Sequence, residues 1–182
     1  MHDSPQKTSG FPGTPNEVTA RRSAEFANQF EAAQDEFIRL VQSLDDAQWP
    51  RTGKNYPQRI NEEDEGRTVG VIAHHVAESG NFIIDRIQRM VRGETLPPPG
   101  DFRASNAEHA VEHASVTKEE VLSSLRESKP RIAGAVRAIP DDQLDVSRDT
   151  PAGPMSVAFR LERVLIGHIK QHQGSIEAAI AE

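Results

Sequence analysis

The sequence predicts an all-α protein: one four-helix bundle preceded by a flexible N-terminal arm. Apolar residues recur at helical spacing in four segments, each bounded by residues that start or end helices. No segment shows the regular alternation of a strand. The 182 residues match the usual size of one domain. We therefore expect residues 1–16, which are rich in Pro, Gly, Ser and Thr, to form the arm and residues 17–182 to form the bundle.

The first two helices are predicted from their apolar seams and their ends. The first seam has alternating four- and three-residue steps: Phe26, Phe30, Ala33, Phe37, Leu40 and Leu44. Residues 49–66 are polar and have no period, so we expect a loop there. Thr68 is a suitable N-cap for a second helix, which Gly93 ends. The inward positions of this helix would include Ile72, His75, Val76, Ser79, Phe82, Ile83, Ile87 and Met90.

The third and fourth helices follow a crossover with consecutive prolines, which cannot be helical. Thr117 and Glu120 form a capping box for the third helix, in which Pro130 should cause a kink. Residues 141–154 are rich in turn-forming residues. Ser156 is the predicted cap of the fourth helix, whose inward stripe includes Val157, Leu161, Leu165, His168, His172 and Ile176. The spacing does not fix the order in which the four helices pack.

The composition excludes several classes of protein. With 0 Cys, the chain has neither disulfides nor thiolate ligands, so a metal ion would need nitrogen and oxygen ligands. The net charge of -7 disfavours nucleic-acid binding, and we interpret Arg86, Arg89 and Arg92 as a solvated helix face. No apolar run has the length of a bilayer span, and the opening residues do not resemble a signal peptide. We expect a cytoplasmic protein that acts on a small molecule, without membrane or nucleic-acid partners.

His168 and His172 are the strongest candidates for chemistry. Because they are four residues apart on a helix, their rings lie on one face and can bind the same ion. They also interrupt the apolar stripe of the fourth helix, which places them inside the bundle. A buried imidazole needs partners for both ring nitrogens, and a metal ion can be one of them. The alternative is a pair of ordinary hydrogen-bonded core histidines.

A third histidine favours the metal site over that alternative. His75 follows Ile72 by three residues on the inward face of the second helix, whereas His74 points about 100° away. We therefore choose His75, although a small rotation of the helix would exchange the two. Three neutral imidazoles suit Zn, Ni, Fe or Cu, of which we expect Zn or Ni. Three protein ligands also leave a position open to water or substrate, as in catalytic sites.

Other polar residues are weaker candidates for the site. Glu78 lies one turn after His75 and is the best placed general acid or base, although a glutamate on a helix is more often simply exposed. Asn81 and Gln171 are candidates for contacts with a substrate or cofactor. None of these residues belongs to a motif that fixes its role.

A second pair of histidines, His109 and His113, has the same four-residue spacing. Its neighbourhood is polar and has no apolar stripe, so we expect a solvated surface pair. His2 lies in the predicted arm and enters no site. The sequence also lacks the GxSxG, GxxxxGK[ST] and GxGxxG motifs, so serine hydrolases, nucleotide-phosphate enzymes and Rossmann folds are set aside.

Two segments resemble those of a known family, the DinB/YfiT-like metalloenzymes. Residues 68–76 (TVGVIAHHV) are similar to the segment that ends in the family's first metal ligand, and residues 168–174 (HIKQHQG) to its HxxxHxG segment. Trp49, before a polar loop, also fits, and the resemblance spans most of residues 20–182. It implies a four-helix bundle, commonly a homodimer, with a divalent metal ion held by His75, His168 and His172. Family members include thiol-dependent transferases and mycothiol-dependent maleylpyruvate isomerases, and some activate a low-molecular-weight thiol.

Three functions are compatible with these observations. The first is a metal-dependent enzyme that activates a thiol or water for S-transfer, isomerisation or hydrolysis. The second is a non-catalytic metal-binding or ligand-binding bundle, such as a stress-response protein. The third is a helical dimerisation module without metal. The lack of a strong general base favours the second function, whereas a thiol made nucleophilic by a metal needs little further acid–base help.

Overall fold

The computed structural model describes residues 15–55, 66–98, 100–150 and 153–181, with the backbone alone for residues 15–21 and 102. The described chain is mostly helical, so the predicted all-α class is confirmed. Its helices are α1 (Pro15–Ser43), α2 (Val69–Val91), α3 (Phe102–Glu112), α4 (Lys118–Arg137), α5 (Asp141–Leu144), α6 (Val157–Phe159) and α7 (Gly167–Ile180). A π-helical segment, Arg160–Ile166, joins α6 to α7. Two short antiparallel strands, β1 (Ser147–Arg148) and β2 (Met155–Ser156), precede α6.

The bundle consists of α1, α2, α4 and the continuous helical stretch from α6 to α7. Both α1 and α2 pack against α4 and α7, so α1 and α2 occupy opposite corners of the bundle. This arrangement answers the question of helix order that the spacing left open. Large, fully buried side chains fill the core between the helices; they include Phe30, Phe37, Ile72, Ile87, Leu125, Ile132, Leu161, Leu165 and Ile176. Burial of each such side chain contributes roughly 1.5–3 kcal/mol.

The predicted helix ends agree with the structure. Thr68 accepts a hydrogen bond from the backbone of Val71, and Thr117 and Glu120 form the capping box of α4. Gly93, with a φ of 74°, ends α2 in a backbone conformation that glycine adopts without strain. Residues 1–14 of the expected arm, which include His2, and residues 56–65 of the expected loop lie outside the described residues.

Four details differ from the sequence predictions. The fourth helix contains a π-helical segment, and the link before it contains two short strands. Phe82, placed inward by its spacing, is 54% exposed, because the helix face at this position borders a cleft. Arg86, placed on a solvated face, is buried and donates a hydrogen bond to the carbonyl oxygen of Pro97 at 2.9 Å. This hydrogen bond ties the crossover to α2.

Trp49 connects the start of α2 to the loop before α4. Its indole Nε1 donates to the carbonyl oxygen of Val116 at 3.0 Å. The Trp49 ring lies against Gly70, where a Cβ atom would stand 2.6 Å from ring atoms Cε2 and Nε1. Residues 49–53 also pair with residues 67–70 through backbone hydrogen bonds. This close packing holds the first turn of α2, and with it the following histidines, in position.

A buried carboxylate connects α5 to α1. Asp141 accepts hydrogen bonds from the backbone N–H groups of Arg22 and Ser23 and from the Ser23 hydroxyl, at 2.7 to 2.9 Å. Arg22 also forms an ion pair with Asp145, with an N–O distance of 2.6 Å. Asp141 thereby provides acceptors for two backbone donors of α1.

Candidate metal centre

The three predicted ligands lie together inside the bundle. His75 projects from α2, and His168 and His172 project from consecutive turns of α7. The Nε2 atoms of His75 and His168 are 3.1 Å apart. The ring centroid of His172 lies 5.1 Å from that of His75 and 4.5 Å from that of His168. One ligand atom from each residue lies within 4.8 Å of the other two.

This spacing fits a bound metal ion. Ligand nitrogens around a tetrahedral zinc ion are about 3.3 Å apart, close to the distance between His75 and His168. The Nδ1 atom of His172 is buried and has no hydrogen-bond partner among the described residues. A buried ring with an unpartnered nitrogen is costly, and coordination through one nitrogen is a way to offset that cost. The cluster could therefore hold a metal ion.

The three imidazoles are held in the neutral form that binds metals. Burial lowers the pKa of His75 to about 3, and the neighbouring His168 adds to the effect. Burial, with a contribution from the positive charge of Arg67, lowers the pKa of His168 to about 4. Burial and the two other histidines lower the pKa of His172 to about 2. Neutral imidazole is the form that a metal ion requires, so no proton has to be displaced at neutral pH.

Two local features position the α7 histidines. The Ser79 hydroxyl lies 3.4 Å from His168 Nδ1, which orients the other ring nitrogen towards His75. The π-helical segment ends at Ile166, two residues before His168, and the N–H of Gly167 donates a hydrogen bond to the carbonyl oxygen of Glu162, five residues earlier. Such π-turns occur frequently at functional sites. Ser79 was predicted to face inward but not as a partner of His168, and the π-turn has no sequence signal that we recognise.

The cluster forms part of the wall of a cleft of about 850 Å³. Arg67, Arg86 and Arg160 also line this cleft, and Glu78 is the one carboxylate among its described lining residues. Guanidinium groups thus outnumber carboxylates among the described residues that line the cleft. Burial, followed by the charge of Arg86, lowers the pKa of Arg160. These arginines lie far apart in the chain, so no local sequence pattern points to them as a group.

The weaker candidates fall in different places. Gln171 and Glu78 line the cleft. Glu78 lies 3.8 Å from His74 and 3.5 Å from His109, so it faces those rings rather than the three predicted ligands. Asn81 projects from α2 and accepts a hydrogen bond from Arg131 on α4, and it is not among the described residues that line the cleft.

The prediction that His109 and His113 form a solvated surface pair is wrong. α3 lies against α2, and the rings of His109 and His113 contact the ring of His74. The side chain of His109 is only 14% exposed and that of His74 only 13%. The four-residue spacing of His109 and His113 was the one sequence signal for this contact. The polar neighbourhood of the pair gave no indication that the two rings face another helix. His75 therefore joins His168 and His172, as predicted, and His74 instead contacts His109 and His113.

Comparisons with known proteins agree with this architecture. The family model described as the DinB superfamily matches residues 10–176, which is most of the chain. No curated protein matches the chain closely enough to count as a relative. None of the helices in the described ranges combines the length and the apolar character that a bilayer crossing requires.

Proposed function

This chain belongs to the DinB superfamily, and on that premise we propose that it is a metal-dependent enzyme acting on a small molecule. His75, His168 and His172 would hold the ion, with Zn or Ni expected. The observation that carries the proposal is the meeting of three neutral imidazoles at the wall of an open cleft. A divalent ion held there would lower the pKa of a bound thiol or water and so supply a nucleophile. The reaction classes are S-transfer, isomerisation and hydrolysis.

The residues around the histidines indicate what kind of substrate the cleft accepts. The Arg160 Nε atom is buried without a hydrogen-bond partner among the described residues. Arg86 and Arg67 line the same cleft. An anionic group on the substrate, such as a carboxylate, would offset this positive charge and place the electrophilic part near the histidines. A low-molecular-weight thiol is the nucleophile that needs least help from a general base.

One observation favours a non-catalytic alternative. The single carboxylate among the described residues of the cleft, Glu78, faces His74 and His109, so no general base lies beside the three-histidine cluster. A bundle that binds a metal ion or an anionic ligand without turnover would need no such base.

The homodimer remains a prediction from the family resemblance, and analytical ultracentrifugation would test it.

Metal content and thiol consumption together test the proposal. We expect the purified protein to contain Zn or Ni and to consume thiol in the presence of small anionic electrophiles. His168→Gln should lose thiol consumption and the ion of this cluster, whereas Lys170→Ala, an exposed position on the same helix, should retain both. Metal without turnover would favour the non-catalytic alternative. Unchanged metal content and turnover in His168→Gln would overturn the proposal.

A further inference from the structure

Six of the 7 histidines lie in two adjoining clusters. The second cluster consists of His74, Glu78, His109 and His113, whose ligand atoms all lie within 4.8 Å of one another. The Nδ1 atom of His74 is 3.0 Å from the Nε2 atom of His109. The ring centroid of His113 is 3.9 Å from that of His74 and 4.5 Å from that of His109.

Hydrogen bonds among these rings do not satisfy the cluster. The Nδ1 atom of His109 is buried without a partner in the described part of the chain. One Glu78 carboxylate oxygen lies 3.8 Å from His74 Nε2 and the other lies 3.5 Å from His109 Nε2, both longer than a normal hydrogen bond. Three imidazoles and one carboxylate are therefore gathered at short range with unused bonding capacity. That donor set is one that zinc binds in proteins.

The described side chains of α3 also offer little apolar burial to explain its docking. None of its described side chains, residues 103–112, is fully buried, and Val111 is 80% exposed. α3 packs chiefly against α2, and the histidines provide the ring contacts between the two helices. An isolated helix of 11 residues is marginal in water. A link between the histidines of α3 and those of α2 would hold this helix in place.

We propose that His74, Glu78, His109 and His113 form a second site for a divalent transition-metal ion, with zinc as the best match. Four protein donors complete a tetrahedral shell, which is typical of a structural ion. The role of this ion is to fasten α3 to α2 along the edge of the cleft, which Glu78 and His109 also line. The ring centroids of His75 and His109 are 5.6 Å apart, so the two sites adjoin. The second site does not depend on the proposed function, since it contains none of the three ligands discussed there.

The test uses the full chain, freed of metal by a chelator and then titrated with Zn²⁺. Calorimetry and elemental analysis after desalting give the number of ions per chain, and hydrogen exchange gives the protection of residues 102–112. We expect the wild type to bind two equivalents and to gain protection of α3. His113→Gln should bind one equivalent without that gain, and His109→Gln provides a second test if the first variant is unstable. Glu112→Gln, an exposed position on the same helix, is the matched control and should behave as the wild type.

His168→Gln separates the two sites. It should bind one equivalent of Zn²⁺ and still gain protection of α3, because it leaves the second cluster intact. If His113→Gln and His109→Gln keep the wild-type stoichiometry and protection, the second site is refuted. One equivalent lost only in His168→Gln would refute the second site and leave the proposed function standing. One equivalent lost only in His113→Gln would support the second site and count against the metal of the proposed function.

Discussion

At the scale of single residues, the contact between Gly70 and Trp49 limits what α2 can tolerate. The aromatic ring occupies the space into which any side chain at position 70 would project. Gly134 on α4 is the opposite case, because nothing lies within 4 Å of the place its Cβ would take. Replacement by alanine should therefore have opposite effects on stability at the two positions, although both lie inside helices.

We expect Gly70→Ala to destabilise the protein by about 1–3 kcal/mol, because the Trp49 ring must move to relieve overpacking. Gly134→Ala should stabilise it by roughly 0.5–1 kcal/mol, since alanine has a higher helix propensity than glycine at an exposed helix position. Urea denaturation of both variants measures the two changes in the free energy of unfolding. A neutral effect of Gly70→Ala would mean that the ring is not held against α2.

At the scale of the elements, local signals in the sequence were enough to place the long helices. The caps at Thr68 and Thr117 involve residues three positions apart in the chain, so a short window contains all the needed information. The contact between α3 and α2 joins His74 to His109, 35 positions away, and no local pattern contains it. The same reason explains why the three cleft arginines were missed. His168 and His172 could be predicted as site residues because they are four residues apart and interrupt an apolar stripe of the same helix.

The Asp141 contact between α5 and α1 has a pH dependence with a definite sign. Burial raises the pKa of Asp141, but the hydrogen bonds from Ser23 and Arg22 outweigh it and hold the pKa below the ordinary value of 3.8. The contribution to stability is therefore present above that value and is lost as the pH falls through the lower folded-state pKa.

We expect Asp141→Asn to cost about 1–3 kcal/mol at pH 7, because charge-assisted hydrogen bonds to α1 are weakened. The difference from the wild type should shrink as the pH falls below 3.8. Chemical denaturation across this range measures it. Asp142→Asn, an exposed neighbour on α5, should show a much smaller cost at pH 7. An equal cost for the two variants would contradict the role of Asp141.

At the scale of the whole molecule, bound metal should stabilise the bundle, because the three-histidine cluster joins α2 to α7. An ion at 100 times its Kd stabilises the folded state by about 2.7 kcal/mol. For a chain of this size, 1 kcal/mol shifts the Tm by about 2–4 °C. We expect the Zn²⁺ ion of this cluster to contribute roughly 5–10 °C to the rise in the Tm of the chelator-treated protein.

Differential scanning calorimetry with and without Zn²⁺ measures this shift. The matched variants are His168→Gln, in which the rise should be smaller than in the wild type, and Lys170→Ala, in which it should be complete. An equal rise in all three proteins would place the stabilising ion outside the cluster of His75, His168 and His172.

The consecutive placement of His74 and His75 restricts how this fold can vary. Successive residues of an α-helix are turned by about 100°, and here that turn aims one ring at α3 and the next at α7. A single residue inserted between Thr68 and His74 would bring His74 to the place of His75. It would also push His75 into the tightly packed position of Val76, which is only 3% exposed. Ala73 would take the place of His74, so the second cluster would lose a ligand while a histidine still stood in the place of His75. The second cluster and the packing at Val76 therefore fix the length of the first turns of α2.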